Sequence, residues 1–150
     1  MLDALKYGVH PVRNGEHIVS MTTEEINAFL SKSNNAIVGV NRANGAPQLT
    51  VVWYAWDGKN FYFSTAKDRA KYLNIQRDPS ISIIVDDFAS HWYVVAYGKA
   101  EIVEQNQEEL VQSIVKKYVP AERVEQAVKG TVSDPSRIIV VLHPEKILTN

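Results

Sequence analysis

Ser64, Thr65, Arg69 and Lys71 are the residues whose types and spacing best suit chemistry. They follow a short aromatic run, Phe61-Tyr62-Phe63, and enter a helical pattern that ends at Asp78-Pro79. Thr65 with Asp68 three residues on predicts a helix start. Such a start presents unpaired N–H groups and the positive end of a dipole, which suits an anion. Two hydroxyls stand at that point, and a guanidinium and an ammonium follow within about two helical turns. Arginine binds phosphate in a bidentate way and lysine acts as a point charge. The functional reading is a phosphate site; the competing one is a solvated basic helix face, the commoner meaning of Arg-x-Lys.

Other chemistries are poorly served. Neither G-x-G-x-x-G nor G-x-x-x-x-G-K-S/T is present, so the common dinucleotide and nucleoside-triphosphate loops are missing. His10, His17, His91 and His143 lie far apart, and H-E-x-x-H is absent, so no metal site is expected. No serine sits in a G-x-S-x-G setting. The chain has no cysteine, which excludes disulfides, thiolate catalysis and thiolate-bound zinc. Asp86-Asp87 reads as a solvated loop pair. A protein without its own nucleophile or metal ligands points to a bound organic cofactor, with the chain supplying position and electrostatics.

The elements that must position these residues can be read in order. With 150 residues the chain is long enough for one domain with a real core. Net charge of -1 argues against nucleic acid and anionic membrane as partners. No apolar run spans a bilayer and no secretory pattern opens the chain, so a cytoplasmic location is expected. Residues 1–21 read as an N-terminal arm and 22–150 as the folded domain. Thr22 and Glu25 stand at capping-box spacing before the Ile26, Phe29, Leu30 stripe. Strands are predicted at 36–40, 47–56, 59–63, 81–85, 92–104 and 137–142. Asn44-Gly45 and Asp57-Gly58 mark tight turns. Gly98 marks a bulge or close approach. The mid-chain helix runs to Gln76 with Ala66, Ala70 and Leu73 on its apolar side, and further helices are predicted at 108–118 and 122–128. About six strands joined early by tight turns predict a mainly β protein, an antiparallel barrel with inserted helices.

Three segments carry a resemblance to a known family. Gly45-Ala46-Pro47-Gln48-Leu49-Thr50 resembles a D-G-x-P-x-x turn and strand. Phe63-Ser64-Thr65 with Arg69, Lys71 and Asn74 resembles a phosphate-binding strand and helix. Asp78-Pro79 followed by Ser82 to Val85 resembles an R-D-P-R-x-S-apolar strand. In this order they resemble the split-barrel flavin-binding family typified by pyridoxamine 5′-phosphate oxidase, and within it the short branch that uses the deazaflavin coenzyme F-420 in place of FMN.

The resemblance implies a homodimeric, six-stranded antiparallel split β-barrel with a cofactor at the subunit interface. It implies that Gln48, Thr50 and Val51 line the ring system, and that Ser64, Thr65, Arg69 and Lys71 hold the phosphate and ribityl end. His91, Trp92 and Tyr93 match a segment that reaches the cofactor from the second subunit, and His91 or Tyr93 is the first residue to test as a proton donor. The implied activity is hydride transfer from reduced F-420 to an unsaturated small molecule such as a quinone, an enone or a tetrapyrrole. An FMN-dependent oxidase or reductase, or a protein that binds flavin, deazaflavin or haem without turnover, are the alternatives. Lys32, Arg42 and Lys67 are candidate partners for the longer F-420 tail. Two features depart from the family. Ala46 stands where a polar residue is common. After Arg137 the only lysine or arginine is Lys146, which argues against vitamin B6 oxidation.

Overall fold

The computed structural model describes residues 7–8 and 20–150. The expected N-terminal arm therefore lies largely outside the described residues. Only the two-residue strand β1 (Tyr7–Gly8), which runs parallel to the last strand, and residues 20–21 belong to that stretch.

Helix α1 (Thr23–Leu30) starts as its sequence predicts. The Thr22 hydroxyl accepts from the Glu25 N–H at 3.2 Å, and the Glu25 carboxylate accepts from the Thr22 N–H at 2.7 Å. Strands β2 (Ala36–Val40), β3 (Gln48–Val52), β4 (Tyr54–Trp56) and β5 (Phe61–Ala66) follow. Helix α2 (Ala70–Arg77) leads to β6 (Ser80–Asp87) and β7 (Trp92–Val103). Helices α3 (Glu108–Val115) and α4 (Ala121–Val132) precede β8 (Arg137–Thr149). The β4–β5 turn is held by Asp57, whose carboxylate accepts from the N–H groups of Lys59 and Asn60. Gly58 takes φ +90° there, which glycine adopts without strain.

One mainly antiparallel sheet contains every strand, in the order β3-β2-β6-β7-β8-β5-β4 with β1 beside β8. Seven strands therefore lie on the path, against six predicted. The difference is at Trp53. A single strand over 47–56 was expected, but the chain breaks at Trp53 and its two halves pair with different partners. β3 pairs with β2, while β4 pairs with β5. The sheet path thus starts and ends in one short segment, which curls it into a barrel that is open between β3 and β5. The Gly98 expectation holds. The β7–β8 register shifts there, and a Cβ on Gly98 would lie 2.0 Å from the His143 carbonyl oxygen. That bulge also lets β8 run through Pro144 to Thr149 rather than stop at Leu142, since proline is tolerated at such a point.

Two apolar clusters hold the elements together. Inside the barrel, Val38, Tyr54, Phe61, Phe63, Ile83, Val94, Val140 and Leu142 are buried with the α1 stripe. Outside it, α3 and α4 cover Ile139 and Val141 of β8 with Val111, Ile114, Val115 and Val128. β8 is covered on both faces, which explains its unbroken Ile-Ile-Val-Val-Leu run. A third face is left uncovered by the described residues. Val51, Ile37, Ile84, Val95 and Leu148 stand in register across β3, β2, β6, β7 and β8. Val51 is 63% exposed and neighbouring Leu49 71%.

Two expectations for α2 are corrected. Thr65 does not cap it. β5 continues through Ala66, with Thr65 paired to Ile138 and Ala66 to Arg137, so the sheet ladder overrides the local capping signal. Arg69 takes the N-cap position with no side-chain cap bond. The inward face is Lys71, Tyr72 and Ile75, whereas Leu73 points out at 61% exposure. Helix α4 also runs four residues past its expected end.

Candidate functional site

The opening of the barrel is the candidate site. β4 covers only Phe61–Phe63 of β5, so Ser64, Thr65 and Ala66 pair with β8 on one side and with no strand on the other. β3, which would have continued that pairing, has turned away to β2. The gap is a cleft of about 750 Å³, within the range of small-molecule sites. Gln48, Thr50, Val51 and Trp53 line it from β3 and its end, and Ser64, Thr65 and Ala66 from β5. The start of α2 contributes Arg69 and Lys71, and α3 and α4 add a largely apolar wall.

Seven of the ten predicted site residues therefore meet in one cleft: Gln48, Thr50, Val51, Ser64, Thr65, Arg69 and Lys71. Arg69 and Lys71 sit closer to the helix start than predicted, because the helix begins later. Lys71 is 5% exposed. Its ammonium lies 5.7 Å from the Phe63 ring centroid, and among the described residues no carboxylate pairs with it. Burial, and then the nearby Arg69 charge, hold its pKa below the ordinary lysine value. An ammonium withdrawn from water without a counter-ion is costly. The Ser64 hydroxyl is also buried and has no hydrogen-bond partner. Arg69 is exposed and reaches only Asp68, at 3.8 Å. A buried unpaired cation, an orphaned hydroxyl and an uncapped helix N-terminus thus face one space, and an anion satisfies all three.

Gln48 is oriented by a relay. Arg77, which has donors only, donates to the Asn74 side-chain oxygen at 2.8 Å. Asn74 must then offer its NH₂, which donates to the Gln48 oxygen at 3.3 Å. The NH₂ of Gln48 remains for a ligand. Trp53, 48% exposed, stacks parallel on Tyr118 with centroids 4.9 Å apart and planes 4° apart. The Tyr118 hydroxyl donates to the Asn34 carbonyl at 2.9 Å and accepts from the Tyr54 N–H at 3.3 Å.

His91, Trp92 and Tyr93 lie elsewhere, at the β6–β7 hairpin. His91 takes φ 60° in the turn and meets Phe88 edge-on at 6.0 Å. Trp92 sits with Met21, Phe29 and Lys32. The Tyr93 N–H donates to the Asn150 side chain at 2.9 Å. None of the three lines the cleft of its own chain. Asp87 is structural: it accepts from Ser90 and Lys32, and those bonds, with Ser90 first, hold its pKa down. Of the proposed tail partners, Lys32 is thus paired with Asp87 and Lys67 with Glu104, and neither they nor Arg42 lines the cleft. Trp53, Arg137 and the α3–α4 wall were missed. Val111, Ile114 and Val115 recur at helical spacing, which reads as core, and nothing in the sequence distinguishes Arg137. Among the described residues no set of three metal-ligating side chains comes together, and no helix is long and apolar enough to cross a membrane.

The model of the pyridoxamine 5′-phosphate oxidase family matches residues 22–150, which include every residue lining this cleft. The chain belongs to that family. Its fold is shared with solved structures. The conserved hypothetical protein Rv2991 of Mycobacterium tuberculosis is similar with TM-score 0.74 and 25% identity, covering 86% of this chain and 84% of that one. A protein described as an F-420 reductase is similar with TM-score 0.64 and 24% identity, over 81% of this chain and 94% of that one. General stress protein 26 of Bacillus anthracis is similar at TM-score 0.64 and 16% identity, over 85% and 92%.

Proposed function

We propose that the protein is an oxidoreductase that binds coenzyme F-420 in this cleft and reduces an unsaturated small molecule. The observation that carries this reading is the buried, unpaired ammonium of Lys71 beside the orphaned Ser64 hydroxyl at the start of α2. A sugar-alcohol phosphate supplies the missing counter-charge. In this reading Arg69, Lys71, Ser64 and Thr65 hold the phosphate, and Gln48, Thr50 and Val51 flank the ring. The reduced deazaflavin, when bound, supplies a hydride. The chain's own part is to fix the ring against β3, to keep water from the apolar α3–α4 wall, and to neutralise the tail.

None of the residues lining the cleft is a carboxylic acid or imidazole, apart from the exposed Asp68. The proton that completes the reduction then comes from solvent or from His91 or Tyr93 of a second copy of the chain. The uncovered Val51–Ile37–Ile84–Val95–Leu148 row is the surface through which we place that copy, making a homodimer.

FMN is the second reading, and one observation favours it. Arg69 and Lys71 both stand at the start of α2, two cations that suit a phosphate monoester dianion. Titration with each cofactor, followed by absorption and fluorescence, separates the two. Micromolar or tighter binding of F-420 with weaker FMN binding supports the first reading, and the reverse order supports the second. Stopped-flow oxidation of the bound reduced cofactor by quinones then tests turnover. No acceleration over the free cofactor would leave a carrier or sensor in place of an enzyme.

A further inference from the structure

The phosphate cradle uses only part of the cleft. On the α3–α4 side the lining is Val111, Ile114, Val115 and Ala127, with Thr131 and Arg137. The Thr131 hydroxyl already donates to the Ala127 carbonyl at 3.0 Å. Arg137 is therefore the one polar group on that side with donors to spare.

Its backbone is pinned. The N–H donates to the Asp134 carbonyl at 3.1 Å, the carbonyl accepts from Gln107 at 3.2 Å, and the residue stands opposite Ala66 in the β5–β8 register. Its guanidinium is not. Asp134 approaches no closer than 3.9 Å, and the other Asp134 oxygen is taken by the N–H and hydroxyl of Ser136. Among the described residues no acceptor lies within hydrogen-bond distance of the Arg137 guanidinium. A planar five-donor fork at the edge of an apolar chamber matches a carboxylate joined to a hydrocarbon body.

We propose that this half of the cleft is a substrate chamber for an apolar acid, with the Arg137 guanidinium clamping the acid group and the α3–α4 side chains taking the hydrocarbon. The assignment rests on the cofactor reading for its catalytic meaning, since it places the acceptor beside the ring, but the chamber itself rests on its own residues. Shape alone would admit a neutral hydrocarbon. The guanidinium, exposed and with only a loose 3.9 Å ion pair to Asp134, is what selects the acid.

Isothermal titration of the purified protein with decanoate and with decanol tests it. Decanoate binds the wild type roughly tenfold or more tightly than decanol, the scale of one charge-assisted bidentate contact. Arg137→Ala brings the two ligands to within about twofold, and Arg137→Lys, which keeps the charge but loses the fork, falls between. Equal affinities in the wild type, or an unchanged ratio in Arg137→Ala, overturn the proposal. The cofactor reading fails separately. Lys71→Met abolishing neither F-420 nor FMN binding counts against that reading alone, and decanoate binding that survives Lys71→Met supports the chamber.

Discussion

Replacing Lys71 with methionine has two consequences of opposite sign. Methionine keeps nearly the same length and can lie along the Phe63 ring, so packing changes little. What disappears is an ammonium that is 5% exposed and faces no carboxylate among the described residues. Apolar replacement of a buried charge is often stabilising, and here, with one charge and some water access through the cleft, about 1–2 kcal/mol is expected. For a chain of 150 residues that raises the ligand-free Tm by roughly 2–8 °C. The bound state moves the other way. Loss of a charge-assisted contact to the phosphate costs about 1–3 kcal/mol, which weakens the cofactor roughly 5- to 150-fold. The pH dependence has a definite sign. Burial and Arg69 lower the folded pKa of Lys71 below its unfolded value. Between those two values the unfolded chain binds more protons, so wild-type stability rises with pH across that window. The variant lacks this contribution. Thermal melts with and without cofactor, over a range of pH, read both effects. A variant that melts lower without ligand and binds cofactor as the wild type does would show that Lys71 is a packed stem and no anion anchor.

Two further outcomes follow from the sheet. Gly98→Ala sets a methyl against the His143 carbonyl and the Pro144 Cα, both main-chain atoms that cannot move aside locally. A loss of at least about 2 kcal/mol is expected, read as a fall in Tm, and an unchanged Tm would contradict the close β7–β8 approach. Ile37→Glu puts a charge in the middle of the uncovered apolar row, opposite both Val51 and Ile84. Sedimentation should show a dimer for the wild type and a monomer for the variant, and a monomeric wild type rejects that face as the dimer seam.

Local signals were legible where nothing distant competed with them. The Thr22–Glu25 capping box formed because both partners are exposed and no strand claims them. Gly58 and Gly98 were readable because their backbone demands are local or nearly so. Thr65 failed for the opposite reason. Its sequence context is a helix cap, yet its backbone belongs to a ladder with Ile138, more than seventy residues away. Leu73 was read the wrong way round because an apolar-in pattern assumes that burial follows hydrophobicity. At this helix the lysine faces the cleft and the leucine faces out. The resemblance supplied the grouping of Gln48 and Thr50 with Arg69 and Lys71, which no spacing argument joins. Arg137 was invisible to both, since only the fold brings it from the start of β8 to the cleft.

The break at Trp53 ties these observations together. Had the segment from Gln48 to Trp56 stayed one strand, β3 would pair with Ser64–Ala66 and close the wall. Lys71 would then be sealed in a dry interior with no counter-charge, a cost of several kcal/mol. By turning at Trp53 the chain gives each half of the strand its own partner, so no ladder bonds are sacrificed over β3 or β4. The edge that is lost belongs to three residues of β5. Trp53 itself is held at the bend by Tyr118, whose hydroxyl is bonded to the main chain at Asn34 and Tyr54. The α3–α4 connection, which carries Tyr118, is therefore anchored to the same point from which the cleft opens.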